Sequence, residues 1–389
     1  MVTRKKNKKL VRTTHLTPFV NKIADYALRG EDDRIKALSG VVVNNISPSI
    51  EIIRNIGIGG QGAVFKGRWG KYPKLVAIKV LFEKKNDVEI DFMENLKFPI
   101  LNPLLKSYDS QLLISPYFSP VKAFDNASNL NDIFHSSKYR GFSYRKRRDI
   151  AIMLLLVLST TFYYFHYHKI LFNDLKPENI LVDEDGYPII IDYGLIECVN
   201  DIHDRNMILQ NTRCYSSRNC PKQYMSRSGC GTPGYWSPRI SSSKCHGFED
   251  DWWTLWMTLY ESFMGDYLIP LSHDQDEIDD NQQKNGMYYW NHYNDLKIID
   301  PELWQRIEPM IRECLNDSVH DLEDFYLYML SPFHDKIDFT VYKQLLSRIR
   351  DIHQGSHALS KVELFGFFDT CWKEKDFHQK INFHKNPVW

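Results

Sequence analysis

The sequence has no excess of charge of either sign. Lys plus Arg and Asp plus Glu each total 49 among 389 residues, so the chain as a whole shows no bias towards nucleic acid or a membrane surface. It has only seven cysteines, scattered and odd in number, which excludes a disulfide-rich scaffold and predicts reduced thiols in an intracellular protein, cytoplasmic or nuclear. Internal repeats are absent. Hydrophobic residues make up 43% of the chain, which is typical of a globular protein.

One stretch approaches the length of a membrane span. Residues 150–167 carry no charge and follow the basic run "RKRRD", and 18 residues is the lower limit for a spanning helix. Ser159, Thr160, Thr161 and His166 dilute its hydrophobicity. We therefore predict a helix buried in a folded lobe and no membrane span.

The amino-terminal segment is basic at six of ten positions in "TRKKNKKLVR". The residues that follow are too polar for the apolar core of a signal peptide. We expect a disordered solvated tail, and a nuclear-import or polyanion contact through the residues from Arg4 to Arg12 is the alternative.

Hydrophobic periodicity predicts a β-rich lobe followed by a helical one. Residues 51–69 and 74–82 are rich in β-branched side chains and read as strands, and residues 111–118 as a buried strand. Between them, residues 87–98 predict a short helix. One face of that helix combines Glu89, Phe92, Met93 and Leu96. From Asn129 onwards helical patterns dominate.

A glycine motif lies in the first of these strands. Gly57, Gly59 and Gly62 form the pattern G-x-G-x-x-G-x-V, which ends at Val64. Glycines at this spacing let backbone N–H groups approach phosphates, and the strand that follows excludes a dinucleotide-binding turn, which requires a helix there. Seventeen residues after Gly62, the sequence "VAIK" places Lys79 on the next strand.

A second cluster of polar residues surrounds a predicted hairpin. The apolar strands "NILV" and "YPIII" are joined by the turn "DEDG", which reads as a solvated acidic turn. Folding this hairpin brings Asn179 next to Asp192, and amide and carboxylate oxygens are ligands that Mg²⁺ prefers. Asp174 lies five residues before Asn179, with Lys176 between them. The spacing predicts a site for metal and phosphate.

Three more stretches occur further along the chain: "FH" at 165–166, "GTPGYWSP" at 231–238, and "DDWWTLWMTLYE", whose second residue is Asp251. With the glycine motif, Lys79 and the hairpin cluster, they resemble the eukaryotic protein kinases over residues 52–348. The resemblance implies a bilobal α+β fold, with a small antiparallel β-sheet lobe that carries one helix and a large, mainly helical lobe. It divides the chain into an amino-terminal extension with a basic tail (1–48), a kinase N-lobe (49–118), a kinase C-lobe (119–350) and a carboxy-terminal extension (351–389).

The resemblance also implies a function, an ATP- and Mg²⁺-dependent protein kinase acting on protein substrates. Asp174 would accept the proton of the substrate hydroxyl, Lys176 would steady the transferred phosphate, and Asn179 and Asp192 would hold Mg²⁺. Lys176 after "DL" is similar to the Ser/Thr-specific members. ATP would be bound by Gly57, Gly59, Gly62, Val64, Ala77, Lys79, Glu89, Ile114 and Tyr117.

Lys79 should pair with an acidic residue on the short helix. Glu89 is preferred because it shares the apolar face of that helix, whereas Glu94 shares its face with Lys97 and is the alternative.

The sequence departs from the family at several positions. Phe172–Asn173 replaces the His-Arg pair, and Tyr193 replaces a Phe. Without that Arg, we expect activity to be independent of activation-loop phosphorylation. Arg239 occupies the position of a Glu whose usual partner aligns with Asp335, which predicts an ion pair of swapped polarity.

The segment between Asp192 and Pro238 is unusually long, and we expect a disordered insertion. Its cysteines Cys214, Cys220 and Cys230 lie close in sequence to Cys245–His246, and free thiols are favoured over zinc for this group. These departures keep two alternatives open: a nucleotide-binding pseudokinase that scaffolds or regulates a partner, and a small-molecule phosphotransferase.

Overall fold

The structure, a computed structural model, describes residues 12–82, 88–199, 231–241, 245–265, 295–315, 321–352 and 358–384. Residues 4–11 of the predicted basic tail and the insertion at residues 200–230 lie outside the described residues, whereas Arg12, the last residue of that tail, begins a strand. The chain divides into two compact units, the first made of residues 1–94 with 102–117 and the second of residues 95–101 with 118–389.

The first unit is built on a seven-stranded sheet in the order β1-β2-β3-β4-β5-β7-β6. Its strands are β1 Arg12–His15, β2 Val41–Asn44, β3 Ile50–Gly59, β4 Gly62–Trp69, β5 Val76–Leu81, β6 Lys106–Tyr108 and β7 Leu112–Pro116. β1 is parallel to β2, and every other neighbouring pair is antiparallel. The strands predicted from the alternation of β-branched residues are therefore confirmed.

The amino-terminal extension completes the core of this unit. Its helices are α1 Leu16–Leu28 and α2 Asp32–Lys36. α1 has apolar side chains at i, i+3, i+4 and i+7, the spacing of one helical face, and all of them are buried: Leu16, Phe19, Val20 and Ile23. They belong to one hydrophobic cluster with Phe65, Ile78 and Ile114 on a single face of the sheet.

The helix α3 Val88–Asn95 lies in the predicted place. The four residues expected to share its inward face, Glu89, Phe92, Met93 and Leu96, are all buried.

The second unit is mainly helical. Its helices are α4 Leu130–His135, α5 Ser137–Arg140, α6 Tyr144–Tyr167, α7 Pro238–Ser241, α8 Phe248–Met264, α9 Pro301–Glu313, α10 Leu322–Leu330, α11 Phe339–Ile352, α12 Lys361–Cys371 and α13 Phe377–Ile381. Four short strands form two antiparallel pairs, β9 Ile180–Val182 with β10 Pro188–Ile190 and β8 Ile170–Leu171 with β11 Glu197–Cys198. The mixed architecture, a sheet unit followed by a helical unit, confirms the predicted fold class.

The long apolar helix α6 lies at the centre of the second unit. Among the described residues it is the one helix with the length and composition of a membrane span, and 94% of its apolar window is buried inside the protein. Ser143 caps its amino terminus by accepting from Lys146 N. Hydroxyl side chains that dilute its hydrophobicity, such as Thr160, bond back to the helix carbonyls. The helix is buried in the lobe, as expected.

The cysteines differ from the expectation that all are reduced. Cys198 and Cys245 are each disulfide-bonded, whereas Cys314 and Cys371 are free and buried. Burial raises the pKa of both free thiols above the ordinary value. The prediction was wrong for two residues because the count and spacing of cysteines do not reveal which sulfur atoms the fold brings within bonding distance.

Candidate active site

The glycine-rich hairpin connects β3 to β4, and glycine occurs at its positions for different structural reasons. A Cβ on Gly62 would lie 2.5 Å from Val80 O on the neighbouring strand, so close backbone packing requires glycine there. At Gly57 and Gly59 an added Cβ would meet no described atom within 4 Å. The lack of side chains at these two positions therefore leaves room for a ligand beside the backbone.

An asparagine that the sequence reasoning missed supports this hairpin. Asn55 Nδ2 donates to Gly57 O and to Val64 O, both at 3.1 Å. The first bond lies within β3 and the second crosses to β4, next to a register shift between Asn55 and Gly57. Asn55 therefore fixes the base of the glycine hairpin.

Strand register decides which predicted nucleotide contacts share a face. Val64 is directly opposite Lys79, and Ala77 is two residues from Lys79, so these three side chains lie on one face of the sheet. Ile114 is opposite Ile78 and fully buried in the cluster on the other face. Only the backbone of Ile114 could contact a nucleotide. Ser115, directly opposite Ala77, shares the face of Lys79.

Tyr117 follows the end of β7. Its backbone N–H donates to Leu75 O at 3.3 Å, so that group is already bonded within the unit. Lys66 Nζ lies 4.2 Å from the centroid of the Tyr117 ring, a cation–π distance. The Tyr117 ring and the Lys66 ammonium group therefore lie together at the end of β7.

Lys79 is held by an ion pair with Glu89. Its Nζ lies 2.7 Å from Glu89 Oε1, and the side chains are 17% and 10% exposed. Glu94 instead accepts a bond from Ser107 Oγ at 3.5 Å on the surface. The structure therefore pairs Lys79 with Glu89 rather than with Glu94. Because little water screens the pair, it holds the ammonium group in one place.

Three side chains converge on Asp174 in the second unit. Asn179 Nδ2 donates to Asp174 O at 2.8 Å and to its Oδ2 at 3.0 Å. Lys176 Nζ lies 3.3 Å from Oδ2, and Thr232 Oγ1 donates to Oδ1 at 2.6 Å. Lys176 also donates to Thr232 Oγ1. Both oxygens of the buried Asp174 carboxylate are therefore oriented by charged or polar partners.

Thr232 is a site residue that the sequence reasoning missed. The motif "GTPGYWSP" contains it, but the motif by itself does not say which side chain reaches the carboxylate, 58 residues earlier in the chain. The preceding Gly231 has φ +107°, and a Cβ there would lie 2.5 Å from Asn173 O. Only glycine allows this close approach of the two segments.

The β9–β10 hairpin brings Asn179 and Asp192 together, as predicted. Ile180 pairs with Ile190, and Ile191 N donates to Asn179 O at 2.9 Å, so Asp192 is the next residue. Asp192 is exposed, with φ +62°. The amide nitrogen of Asn179 is bonded to Asp174, so the amide oxygen is the atom of this side chain that could coordinate a cation. An amide oxygen and an exposed carboxylate are hard ligands that fit Mg²⁺.

Asp251 on α8 holds the backbone of the loop before Asp174. It accepts from Phe172 N and Asn173 N, both at 2.8 Å, and from His166 Nε2 at 3.0 Å. Burial lowers the pKa of His166 despite the nearby Asp251, so the ring is neutral. A carboxylate only accepts, so Nε2 carries the proton and Nδ1 accepts from Tyr326 OH at 2.7 Å. This buried chain of bonds fixes the loop.

Phe172 and Tyr193, two aromatic residues that depart from the family pattern, contact each other. The Phe172 ring stacks on Phe165 with centroids 5.8 Å apart and meets the Tyr193 ring edge-on at 6.3 Å. Tyr193 OH donates to Ile190 O at 2.6 Å. Phe172 thus packs as a flat apolar side chain against Phe165 and Tyr193, and the Tyr193 hydroxyl adds a bond that a Phe would lack.

Asn173, at the position of the family's Arg, is bonded locally. Its Nδ2 donates to Leu195 O at 3.0 Å and to Glu197 Oε2 at 3.3 Å. His246 Nε2 lies 3.9 Å from the same Glu197 oxygen. The Asn173 amide therefore holds the start of the activation segment, which follows Asp192, and the Glu197 carboxylate lies next to it.

The predicted pair between Arg239 and Asp335 is wrong. Arg239 Nη2 and Nε bond the two carboxylate oxygens of Asp250 at 2.9 and 3.2 Å, and Nη2 also donates to Cys314 O at 2.9 Å. Asp335 instead pairs with Arg306 at the surface. The acidic first turn of α8 lies against α7, and alignment to the family pattern does not reveal this contact.

Comparison with known proteins gives the family. The sequence model of the protein kinase domain matches residues 50–322, which is more than half of the chain. The chain belongs to the protein kinase family. The match includes the glycine hairpin, Lys79, the loop around Asp174 and the hairpin that carries Asp192.

Several relatives are serine/threonine-protein kinases. A probable serine/threonine-protein kinase of Dictyostelium discoideum is 26% identical over 71% of this chain and 66% of its own length. Serine/threonine-protein kinase sgk-1 of Caenorhabditis elegans is 30% identical over 55% of this chain and 42% of its length. Serine/threonine-protein kinase Sgk3 of Rattus norvegicus is 28% identical over 75% and 53%. The chain thus spans about two fifths to two thirds of the length of these relatives.

Proposed function

We propose that this chain is an ATP- and Mg²⁺-dependent protein kinase that phosphorylates Ser or Thr in protein substrates. The observation that carries the proposal is the arrangement around Asp174, whose carboxylate is oriented by Asn179, Lys176 and Thr232. Membership of the protein kinase family supports the same reaction.

Asp174 is the proposed base. A carboxylate held in one orientation can accept the proton of a substrate hydroxyl as that oxygen attacks phosphorus. Lys176 Nζ, 3.3 Å from the carboxylate, would place a positive charge beside the transferred phosphate. Positioning and charge neutralisation supply most of the rate enhancement in this reaction, and the bonded side chains of this loop are suited to both.

Asn179 and Asp192 would hold Mg²⁺, because the hairpin makes them neighbours and their oxygens suit a hard cation. When bound, Mg²⁺ neutralises charge on the phosphates. Lys79, held by Glu89, would bind phosphate oxygens of ATP, and the open backbone at Gly57 and Gly59 would lie along them.

Ser/Thr specificity rests on two supports. Lys176 after "DL" is similar to the Ser/Thr-specific members of the family, and its contact with Thr232 ties it to the activation segment. The relatives named above are serine/threonine-protein kinases.

The proposal is tested with purified full-length protein, labelled ATP, Mg²⁺ and mixed protein substrates, beside the variant Asp192→Asn. We expect label on Ser and Thr with the wild type and loss of that label in the variant, because an amide replaces the charged metal ligand. Acid hydrolysis of the products identifies the labelled amino acid, and removal of Mg²⁺ with a chelator should abolish labelling.

Other outcomes would select the alternatives. Nucleotide binding by the wild type without any transfer would contradict the enzyme and favour a pseudokinase scaffold. Label on a small molecule with none on protein would favour a small-molecule phosphotransferase.

We further propose that activity does not depend on phosphorylation of the activation loop. An added phosphate near Asn173 would meet a neutral amide that is already bonded and the carboxylate of Glu197. It would find no guanidinium at position 173, and a neighbouring carboxylate repels it.

We expect phosphatase treatment to change kcat by less than about two-fold, because the proposed site needs no phosphate on the activation loop. A change of that size corresponds to well below one kcal/mol. Asp or Glu substitutions at Thr212, Ser216, Ser217, Ser226 and Ser228, which lie outside the described residues, should likewise leave it unchanged. An acidic substitution among them that switches an inactive protein on would sink this proposal.

A further inference from the structure

The sequence predicts a solvated acidic turn in the β9–β10 hairpin. Glu184 and Asp185 are exposed, as expected, but Asp183 is buried. Asp183 is 3% exposed, and its Oδ1 accepts from Asp185 N and Tyr187 N, both at 3.0 Å. Its other oxygen, Oδ2, accepts from Lys361 Nζ, which also bonds Asp185 Oδ2 at 2.9 Å. A lysine 178 residues away in the chain therefore pairs with two of the carboxylates of the turn.

Residues 382–384 bind the backbone carbonyl groups of the same turn. His384 Nε2 lies 2.8 Å from Asp183 O, and Asn382 Nδ2 donates to Asp185 O. Phe383 N donates to Gly186 O at 2.8 Å. With Lys361, residues 382–384 satisfy the polar groups of the turn that water would otherwise bond.

Apolar contacts and a glycine complete the fit. The Tyr187 ring stacks on Phe365 with centroids 3.9 Å apart, and Phe383 meets Phe124 edge-on at 6.0 Å. Gly186 has φ +91°, and a Cβ there would clash with Asn382 Oδ1. The turn is shaped for the segment that covers it, which we call the carboxy-terminal clamp, residues 358–384.

The electrostatics agree with this geometry. Burial by itself acts to lower the pKa of Lys361, but hydrogen bonds and charge attraction from Asp183 and Asp185 outweigh it and raise the pKa. The lysine is therefore charged at neutral pH and paired with two carboxylates.

The clamped turn lies at one end of the short hairpin whose other end carries the proposed metal ligands. Asn179 precedes β9 and Asp192 follows β10, and only three residue pairs join the strands. Isolated two-stranded hairpins are marginally stable in water, and this one is supported along its strands by backbone bridges from Ile190 to Leu101 and from Leu181 to Asn129 as well as at its turn. Contacts that hold the turn therefore restrict how far the two ligand ends can separate.

We propose that the carboxy-terminal clamp positions the metal-ligand hairpin, with Lys361, Asn382 and His384 as positioning residues for the metal and nucleotide site. The inference rests on the proposed function, since it assigns the clamp a role in that same site. Residues that orient metal ligands typically change metal affinity or activity by about 10- to 100-fold when they are replaced.

The test compares Lys361→Met with Lys380→Met in the full-length protein. Lys380 belongs to the same segment and pairs with Glu374, so its replacement also removes one clamp lysine but leaves the turn untouched. Calorimetry with Mg²⁺ and a non-hydrolysable ATP analogue should show Mg²⁺ affinity about 10-fold weaker in Lys361→Met and unchanged in Lys380→Met. Amide exchange should accelerate at Ile180 to Ile191 in the first variant only.

Kinetics separate positioning from stability. We expect Lys361→Met to raise the Mg²⁺ concentration needed for half-maximal activity. A general loss of folded protein would lower the apparent kcat without changing that concentration. If Lys361→Met folds poorly, Asn382→Ala, which removes one neutral bond to the turn, should give a smaller shift in the same direction.

The outcomes are distinct. A wild type that binds no Mg²⁺ and nucleotide overturns both the proposed function and the clamp. A wild type that binds them, with Lys361→Met binding Mg²⁺ equally well or with both lysine variants weakened alike, overturns the clamp alone.

Discussion

Replacing Asp174 with Asn should lower kcat by about 10²- to 10⁴-fold, the range for loss of a positioned general base. The substitution keeps the shape of the side chain and an oxygen that can still accept from Thr232, but an amide cannot take up a proton at neutral pH. KM for ATP and the melting temperature should change little. Steady-state kinetics and thermal unfolding of the purified variant measure these quantities.

Asp321→Asn is the matched control. Asp321 caps the amino terminus of α10 by accepting from Asp324 N, and Asn is an equally good cap, so the same chemical change should leave kcat unaltered. Thr232→Val removes the hydroxyl that orients Asp174 and should reduce kcat by less than Asp174→Asn does. Full activity in Asp174→Asn would show that the carboxylate is not the base.

Replacing Arg239 with Met should destabilise the protein by about 3–5 kcal/mol, the range for breaking a buried ion pair from one side. Asp250, which is only 2% exposed, would lose its charged partner, and Cys314 O would lose a hydrogen-bond donor. The free energy of unfolding, measured by denaturant titration, tests this. Adding Asp250→Asn should recover part of the loss, because it removes the stranded charge.

Arg306→Met provides the control for Arg239→Met. Arg306 pairs with Asp335, but the two side chains are 39% and 50% exposed, so solvent screening limits the loss to about 1 kcal/mol or less. Equal destabilisation by the two variants would contradict the assignment of Arg239 and Asp250 as the buried pair. Energetic coupling between Arg239 and Asp335 would restore the pairing predicted from the sequence.

Local patterns were sufficient for the elements and for the residues that adjoin them. The alternation of residues 51–69 predicted β3 and β4, and the face shared by Glu89 and Phe92 predicted which carboxylate reaches Lys79. The hairpin brought Asn179 next to Asp192 because two short strands and a tight turn allow little else. Each of these inferences depends on periodicity or on a loop of a few residues, which a sequence displays directly.

Register was harder to predict than strand position. Ile114 belongs to the correct strand, but its side chain faces the cluster beneath α1, and Ser115 faces the side of Lys79. A shift of one residue exchanges the two faces. The hydrophobic run around Ile114 has no alternation that would distinguish them.

The sequence by itself thus determined the protein kinase family and the local parts of the candidate site: Lys79 on the strand that follows the glycine hairpin in the first unit, and Asp174, Lys176 and Asn179 close together in the second. Only the tertiary structure showed which residues from distant parts of the chain contact the site residues and the hairpin that carries them. Thr232 meets Asp174 across 58 residues, and Lys361 meets Asp183 across 178. Such contacts depend on how helices and loops pack, and short-range periodicity carries no information about that packing. The same packing gave Arg239 its partner in Asp250 and buried Asp183 within a turn that the sequence predicts to be solvated.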